Sequence, residues 1–232
     1  MATALSSLGL WEASFVAWFF GWQLLLQLSP EGPRAIPTAY RLNFWHGVVS
    51  TAVASLSVLG YVPDSVAVPC SLAYFIVDVV NMLLNDLYHK VASYQKPNAR
   101  KAEYFHHVLC IVVCIVSKLY YRTACQGLAA DPVVRIMLAE VSTPFLITFR
   151  QTKSKVAGLL FLVTFILSRT VYQCIFLMPE IYSACDSAPL RFGLVVPYIM
   201  LQLYFTVAVV QTAGRTSASS SAQKESKTSP AN

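Results

Sequence analysis

The sequence predicts an all-α membrane protein with about seven transmembrane helices, and three observations carry that expectation. Of 232 residues 56 % are hydrophobic and only 12 % charged, with a mean hydropathy of +0.56; a soluble domain of this size needs more charge to cover its surface. The apolar residues fall in long continuous blocks without period-2 alternation, which favours helices over a barrel. Seven such blocks, near 8–29, 44–62, 68–87, 104–121, 133–149, 156–178 and 192–213, approach or reach the roughly 17–25 residues a spanning helix needs.

The first block reads as a retained helix rather than a cleaved signal. No Lys or Arg precedes it, it is long for a signal core, and no small-x-small site follows. Ser29-Pro30 through Pro37 reads as the turn after it. Numbering loops by the helices they join, basic residues alternate along the chain. Arg34 and Arg41 fall in loop 1–2, Lys90, Lys96, Arg100 and Lys101 in loop 3–4, Arg150, Lys153 and Lys155 in loop 5–6, and Arg215, Lys224 and Lys227 in the tail. Twelve of the seventeen basic residues thus lie on one side, predicting a lumenal or exterior N-terminus and a cytosolic C-terminus. The net charge of +6 is mostly this topology signal, spread over four short segments, and no nucleic-acid patch is expected. The tail from Arg215, rich in Ser, Thr and Lys, reads as disordered.

Ionisable groups within hydrocarbon are expensive and usually face a bundle interior. On the third block Tyr74, Asp78, Asn81, Asn85 and His89 follow at offsets of 4, 3, 4 and 4, which places all five on one helical face. The fourth opens with Glu103-Tyr104-Phe105-His106-His107; His106 shares a face with Cys110, Ser117 and Tyr121, while His107 is turned about 100° away. Imidazole titrates near neutrality and serves as base or nucleophile, although interfacial histidines bonded to headgroups and backbone are an equal reading. The fifth block carries Glu140, Ser142, Thr143 and Pro144, the proline loosening the turn before it. The sixth carries Arg169, which needs a carboxylate; Glu140 and Asp78 are the candidates, and structural pairing is the plain explanation. Glu12 and Lys118 sit near helix ends, within reach of water.

Six cysteines form no zinc pattern, and no metal is expected from Cys110, Cys114 and His106. Cys125 and Cys185 both fall in predicted lumenal loops, where an oxidising compartment would allow a disulfide; Cys70 is a competing partner.

Several stretches taken together resemble the TLC-domain family, which includes the ceramide synthases and small TLC-domain-containing proteins. They are Phe44-Trp45-His46 with Val49-Ser50-Thr51, Ser71 to Asp78, Phe105-His106-His107, Leu138 to Phe145 and Ser168-Arg169, in order over roughly 40–213. The resemblance implies an N-terminal helix and loop over 1–39, a six-helix membrane core over 40–213, and a cytosolic tail over 214–232. It also implies a cavity in which His106 and His107 match a histidine pair that supports acyl transfer from acyl-CoA to a sphingoid amine. The synthases follow that pair with two aspartates; here Glu140 and Thr143 stand at the matching positions, so one carboxylate is lengthened and the other absent.

Two main functions follow. The first is a multi-pass protein of lipid homeostasis that binds or regulates membrane lipids, sphingolipids among them, through an intramembrane polar cavity. The second is an acyl-CoA-dependent lipid N-acyltransferase, with His106, His107, Asp78 and Glu140 catalytic and Tyr74, Asn81, Asn85, Thr143 and Arg169 binding. Membrane lipids are the expected partners, with acyl-CoA as co-substrate under the second reading, no other cofactor, and homodimerisation left open. The expected location is the endoplasmic reticulum or plasma membrane. A seven-helix receptor fits poorly: the exterior loops are short, no N-x-Ser/Thr acceptor occurs, and no acidic-Arg-aromatic signature ends the third helix.

Overall fold

The structure, a computed structural model, describes residues 9–88, 97–125, 128, 130–187 and 191–211. His89, Lys90, Lys96 and the tail from 212 lie outside these, as does the side chain of Tyr121. The described residues form helices and no strand, arranged as consecutive rods: α1 (Leu10–Gln27), α2 (Ile36–Val58), α3 (Asp64–Tyr88), α4 (Pro97–Ala124), α5 (Pro132–Thr152), α6 (Lys155–Ala184) and α7 (191–211). Among the described residues four helices are long and apolar enough to cross a membrane: Asp64–Tyr88, Arg100–Tyr120, Pro132–Thr152 and Lys155–Ala184. The final apolar stretch, Val196–Gln211, is shorter. In α2 the polar side chains of Asn43, His46, Ser50 and Ser57 dilute the apolar run and are buried. Large apolar side chains such as Phe20, Leu24, Leu159, Val163, Leu167 and Val207 point outward, the inverse of a water-soluble bundle.

Two helices begin well before their apolar blocks. The second starts at Ile36, inside the expected Ser29–Pro37 turn, and the fourth at Pro97. Proline suits the first helical turn, where its missing N–H would have no acceptor and its φ is already helical. A hydropathy block therefore marks the apolar middle of a rod and misses its polar first turns.

Four rods are not uniform, the seventh because it opens in a π-helical turn, Arg191–Val195. The third ends in a π-helical turn, Leu84–Tyr88. The fifth is α-helical over Pro132–Met137, 3₁₀ over Leu138–Ser142 and α-helical again from Thr143, so the winding changes just before Pro144. The sixth is π-helical over Ile166–Leu177, the stretch that contains Arg169 and Gln173. Such irregular turns re-aim side chains out of strict 3.6-residue register.

The start of α3, the end of α4, the start of α5 and the end of α6 meet at one end of the bundle. There Ser57 donates to Asp64 (2.6 Å), the Asp131 amide donates to the other Asp64 oxygen (2.9 Å), and Ser117 donates to Asp131 (2.7 Å). Cys125 and Cys185 are disulfide-bonded at this same end, whereas Cys70 is buried with a free thiol. Lys118 bonds Glu12 and lies 3.9 Å over the Trp11 ring, so the two charges set aside as solvent-reaching pair with each other. At the opposite end Arg41 pairs with Glu31, both bonds at 3.0 Å.

Candidate functional site: a buried polar cluster

Glycine at position 47 sets the depth at which α2 meets α5. A Cβ there would lie 2.6 Å from Pro144 Cδ, 2.9 Å from Thr143 Cβ and 3.1 Å from the Glu140 carbonyl oxygen. The close approach brings His46, the preceding residue, 4.0 Å from Glu140 through its Nδ1. Its other nitrogen, Nε2, lies 3.4 Å from the Ser71 hydroxyl, and its ring stacks on Tyr74 with centroids 3.5 Å apart and planes 8° from parallel.

The first helix closes the other side of this stack. Its Trp18 and Trp22 indoles donate to the carbonyls of Val66 and Cys70 at 3.1 and 3.0 Å, anchoring α1 along α3. Trp22 then meets both His46 and Tyr74 edge-on. The rod expected as an addition to a six-helix core is thus part of the wall around the cluster.

Tyr74 donates to Asn43 and lies 3.4 Å from Asp78. Asp78, only 3 % exposed, lies 3.3 Å from His107 Nδ1, close but poorly aligned, so that nitrogen has no well-formed hydrogen bond. Phe75 touches both histidines of the pair, with centroids 5.9 Å from His106 and 5.2 Å from His107. His106, 5.5 Å from its neighbour ring to ring, turns instead toward Cys110 and the edge of Phe205. The 100° offset along the helix therefore separates their neighbours while leaving both at one cluster.

Arg169 chooses between its two candidate carboxylates. Its Nη2 donates to Glu140 at 2.9 Å, and Nε lies 3.4 Å from the Ser142 hydroxyl. Thr143 donates to the second Glu140 oxygen at 2.7 Å. Asp78 is left to Tyr74 and His107. Two acid centres result, one on α5 with its cation and one on α3 beside an imidazole. Buried charges tolerate this setting only when paired and hydrogen-bonded.

Of the residues singled out in the sequence, Tyr74, Asp78, His106, His107, Glu140, Thr143 and Arg169 converge, and Asn81 is buried on the same face of α3. Asn85 does not join them. It falls in the π turn, is only half-buried, and donates back to Asn81 at 3.4 Å. Arg100, one of the basic residues considered for CoA phosphates, is occupied by Asp86 at 2.9 and 3.1 Å and by Glu103 at 2.9 Å.

Sequence reasoning missed three interior residues. His46 stood in the motif Phe44-Trp45-His46 without a role. Gln173 is fully buried, donates to the Ile136 carbonyl at 2.7 Å and accepts from Tyr198 at 2.9 Å. Gln202 is fully buried between Tyr198 and Thr206 on α7. The signal was available: Tyr198, Gln202 and Thr206 recur every four residues, as the polar residues of α3 nearly do. On the disulfide side of the cluster lies an apolar cavity of about 50 Å³, bordered by Val113, Val133, Met178, Tyr198 and the disulfide itself.

The chain matches no family model, no curated protein and no solved structure. The resemblance to the TLC family consequently rests on its motifs.

Proposed function

We propose that this chain is a seven-span membrane protein of the TLC type that binds membrane lipids at its polar cluster and so acts in lipid homeostasis. One observation carries the reading: charged and imidazole groups from α2 to α6 turn inward onto one another while the outer surface stays apolar. Glu140, Arg169, Asp78 and the three histidines are costly in hydrocarbon, and a purely structural bundle is built more cheaply from apolar side chains. Lipid-composition work in the endoplasmic reticulum or plasma membrane, with the N-terminus lumenal or exterior, fits this arrangement and the alternating basic loops.

The decisive experiment is untargeted lipidomics of a knockout rescued by wild type or by a His106→Ala/His107→Ala variant expressed at equal level. Altered lipid profiles in the knockout, restored by both, support binding without chemistry. An unaltered knockout profile sinks a role in lipid homeostasis.

A second reading, N-acyl transfer from acyl-CoA, draws on the contact between His107 and Asp78 at 3.3 Å. A carboxylate this near favours the imidazolium that forms when the ring takes a proton, here from an amine attacking the thioester. The amide C–N bond forms, the C–S bond breaks, and CoA leaves as the thiol. This reading expects rescue by wild type alone, together with amide formation by purified protein across a panel of long-chain amines.

A further inference from the structure

Both halves of the Cys125–Cys185 bridge are buried, Cys125 at 5 % and Cys185 at 1 % exposure. They line the apolar cavity together with Ser117, Pro132 and Val133. Ser117 and Val133 are also the residues that hold the neighbouring carboxyl. The Ser117 hydroxyl lies 2.7 and 2.8 Å from the two Asp131 oxygens, and the Val133 amide donates to Asp131 at 2.8 Å. One set of residues therefore stands between a buried acid and a buried disulfide. The Asp131 amide in turn bonds Asp64 at 2.9 Å, which fastens the start of α5 to α3.

Among the described residues no cation pairs with Asp131. At this end of the bundle Lys118 pairs with Glu12, Arg135 with Glu180 and Arg191 with Asp186. The group facing Asp131 from α3 is a second carboxyl, Asp64, and from α4 its titratable neighbour is the Cys114 thiol. A carboxyl without a counter-charge against apolar walls keeps its proton more readily, and burial accordingly raises Asp131 from 3.8 to about 6. Opening this end to water restores the ordinary value. Each pH unit between the two values therefore favours the opened end by about tenfold. Reduction of the bridge needs that opening, because the attacking group must reach a sulfur that the closed end covers.

We propose that Asp131 governs exchange at the bridge: protonated, it keeps this end of the bundle shut, and ionised, it admits a small dithiol. One thiolate of the dithiol attacks a cysteine sulfur, the S–S bond breaks, and a mixed disulfide forms. Its second thiolate displaces the remaining cysteine, so the dithiol leaves oxidised, and Cys125 and Cys185 each take up a proton as thiols. The bridge is then locked in an acidic compartment and exchangeable in a neutral one, whatever the polar cluster binds.

Purified full-length protein in detergent is treated with a water-soluble phosphine, which reduces disulfides without a thiolate, from about pH 4 to about pH 8. After quenching, the freed Cys125 and Cys185 thiols are labelled in the denatured chain and counted by mass spectrometry. Dividing each rate by that of the unfolded chain at the same pH removes the reagent's own pH dependence. The wild-type ratio should rise about tenfold per unit and level off near pH 6, about a hundredfold in all, and Asp131→Asn should lose that rise. A flat wild-type profile, or a rise that survives in Asp131→Asn, overturns the proposal. Where Asp131→Asn does not fold, the point of levelling decides. Ser117→Ala removes a donor to the carboxylate and should move that point to higher pH, whereas Asp64→Asn removes a neighbouring acid and should move it lower. A point that stays in place in both variants overturns the proposal equally.

Discussion

Arg169 on α6 and Glu140 on α5 meet at 2.9 Å in the interior, although 29 residues separate them along the chain. Removing either partner leaves the other charge buried without compensation, at a cost of about 3–5 kcal/mol, whereas replacing both by apolar groups of similar size is often close to neutral. Arg169→Met and Glu140→Leu should each lower the thermal midpoint in detergent sharply, and the double variant should recover much of the loss. Strict additivity would show that the two side chains do not act as a pair.

Gly47→Ala tests the close approach of α2 to α5. The added methyl would lie 2.6 Å from Pro144 Cδ, so one helix must move. Overpacking of this kind costs about 1–3 kcal/mol. Because His46 rides on the same turn, the variant should also lower lipid retention. A midpoint and lipid content equal to wild type would mean that the two helices do not pack at this distance.

The Cys125–Cys185 bridge spans 60 residues. Closing a loop of that length contributes at most about 4–5 kcal/mol through the unfolded chain, less where helices persist in the membrane. The Cys125→Ser/Cys185→Ser variant should unfold at lower temperature, and the wild type should match it after reduction. Alkylation of both thiols in unreduced protein would be inconsistent with the bridge.

Asp131 should make stability depend on pH. Burial is the main influence on its carboxyl, pushing it from an ordinary value near 3.8 up to about 6; the nearby Asp64 carboxyl adds to this, while hydrogen bonds from Ser117 and the Val133 amide oppose it. The folded state therefore holds this proton where the unfolded chain has lost it. The contribution is fully present below about 3.8 and fades as pH rises through about 6, at about 1.4 kcal/mol per unit within that window. The thermal midpoint should fall between pH 4 and pH 6.5, with a shallower slope in Asp131→Asn. Parallel slopes would assign the dependence to other groups.

The inward stripe on α3 was legible at Tyr74, Asp78 and Asn81 because an uninterrupted helix repeats its faces locally. Asn85, one turn further on, still reaches the Asn81 side chain at 3.4 Å, but it lies in a π turn and is only half-buried, a change of winding that residue spacing does not register. The predicted side of the membrane narrowed the partners of Cys185 to Cys125 and Cys70 without deciding between them, and the structure pairs Cys125.

What the sequence by itself determined was the kind of molecule: apolar helical rods, the faces along them that must turn inward, and the irregular turn before Pro144. These are properties of contiguous residues. Only the tertiary structure decided which groups meet. Arg169 takes Glu140 and leaves Asp78 to His107 because Gly47 and the altered winding of α5 and α6 set how near and at what angle the helices pass. Such distances depend on packing among residues far apart in the chain, and local periodicity carries no record of them.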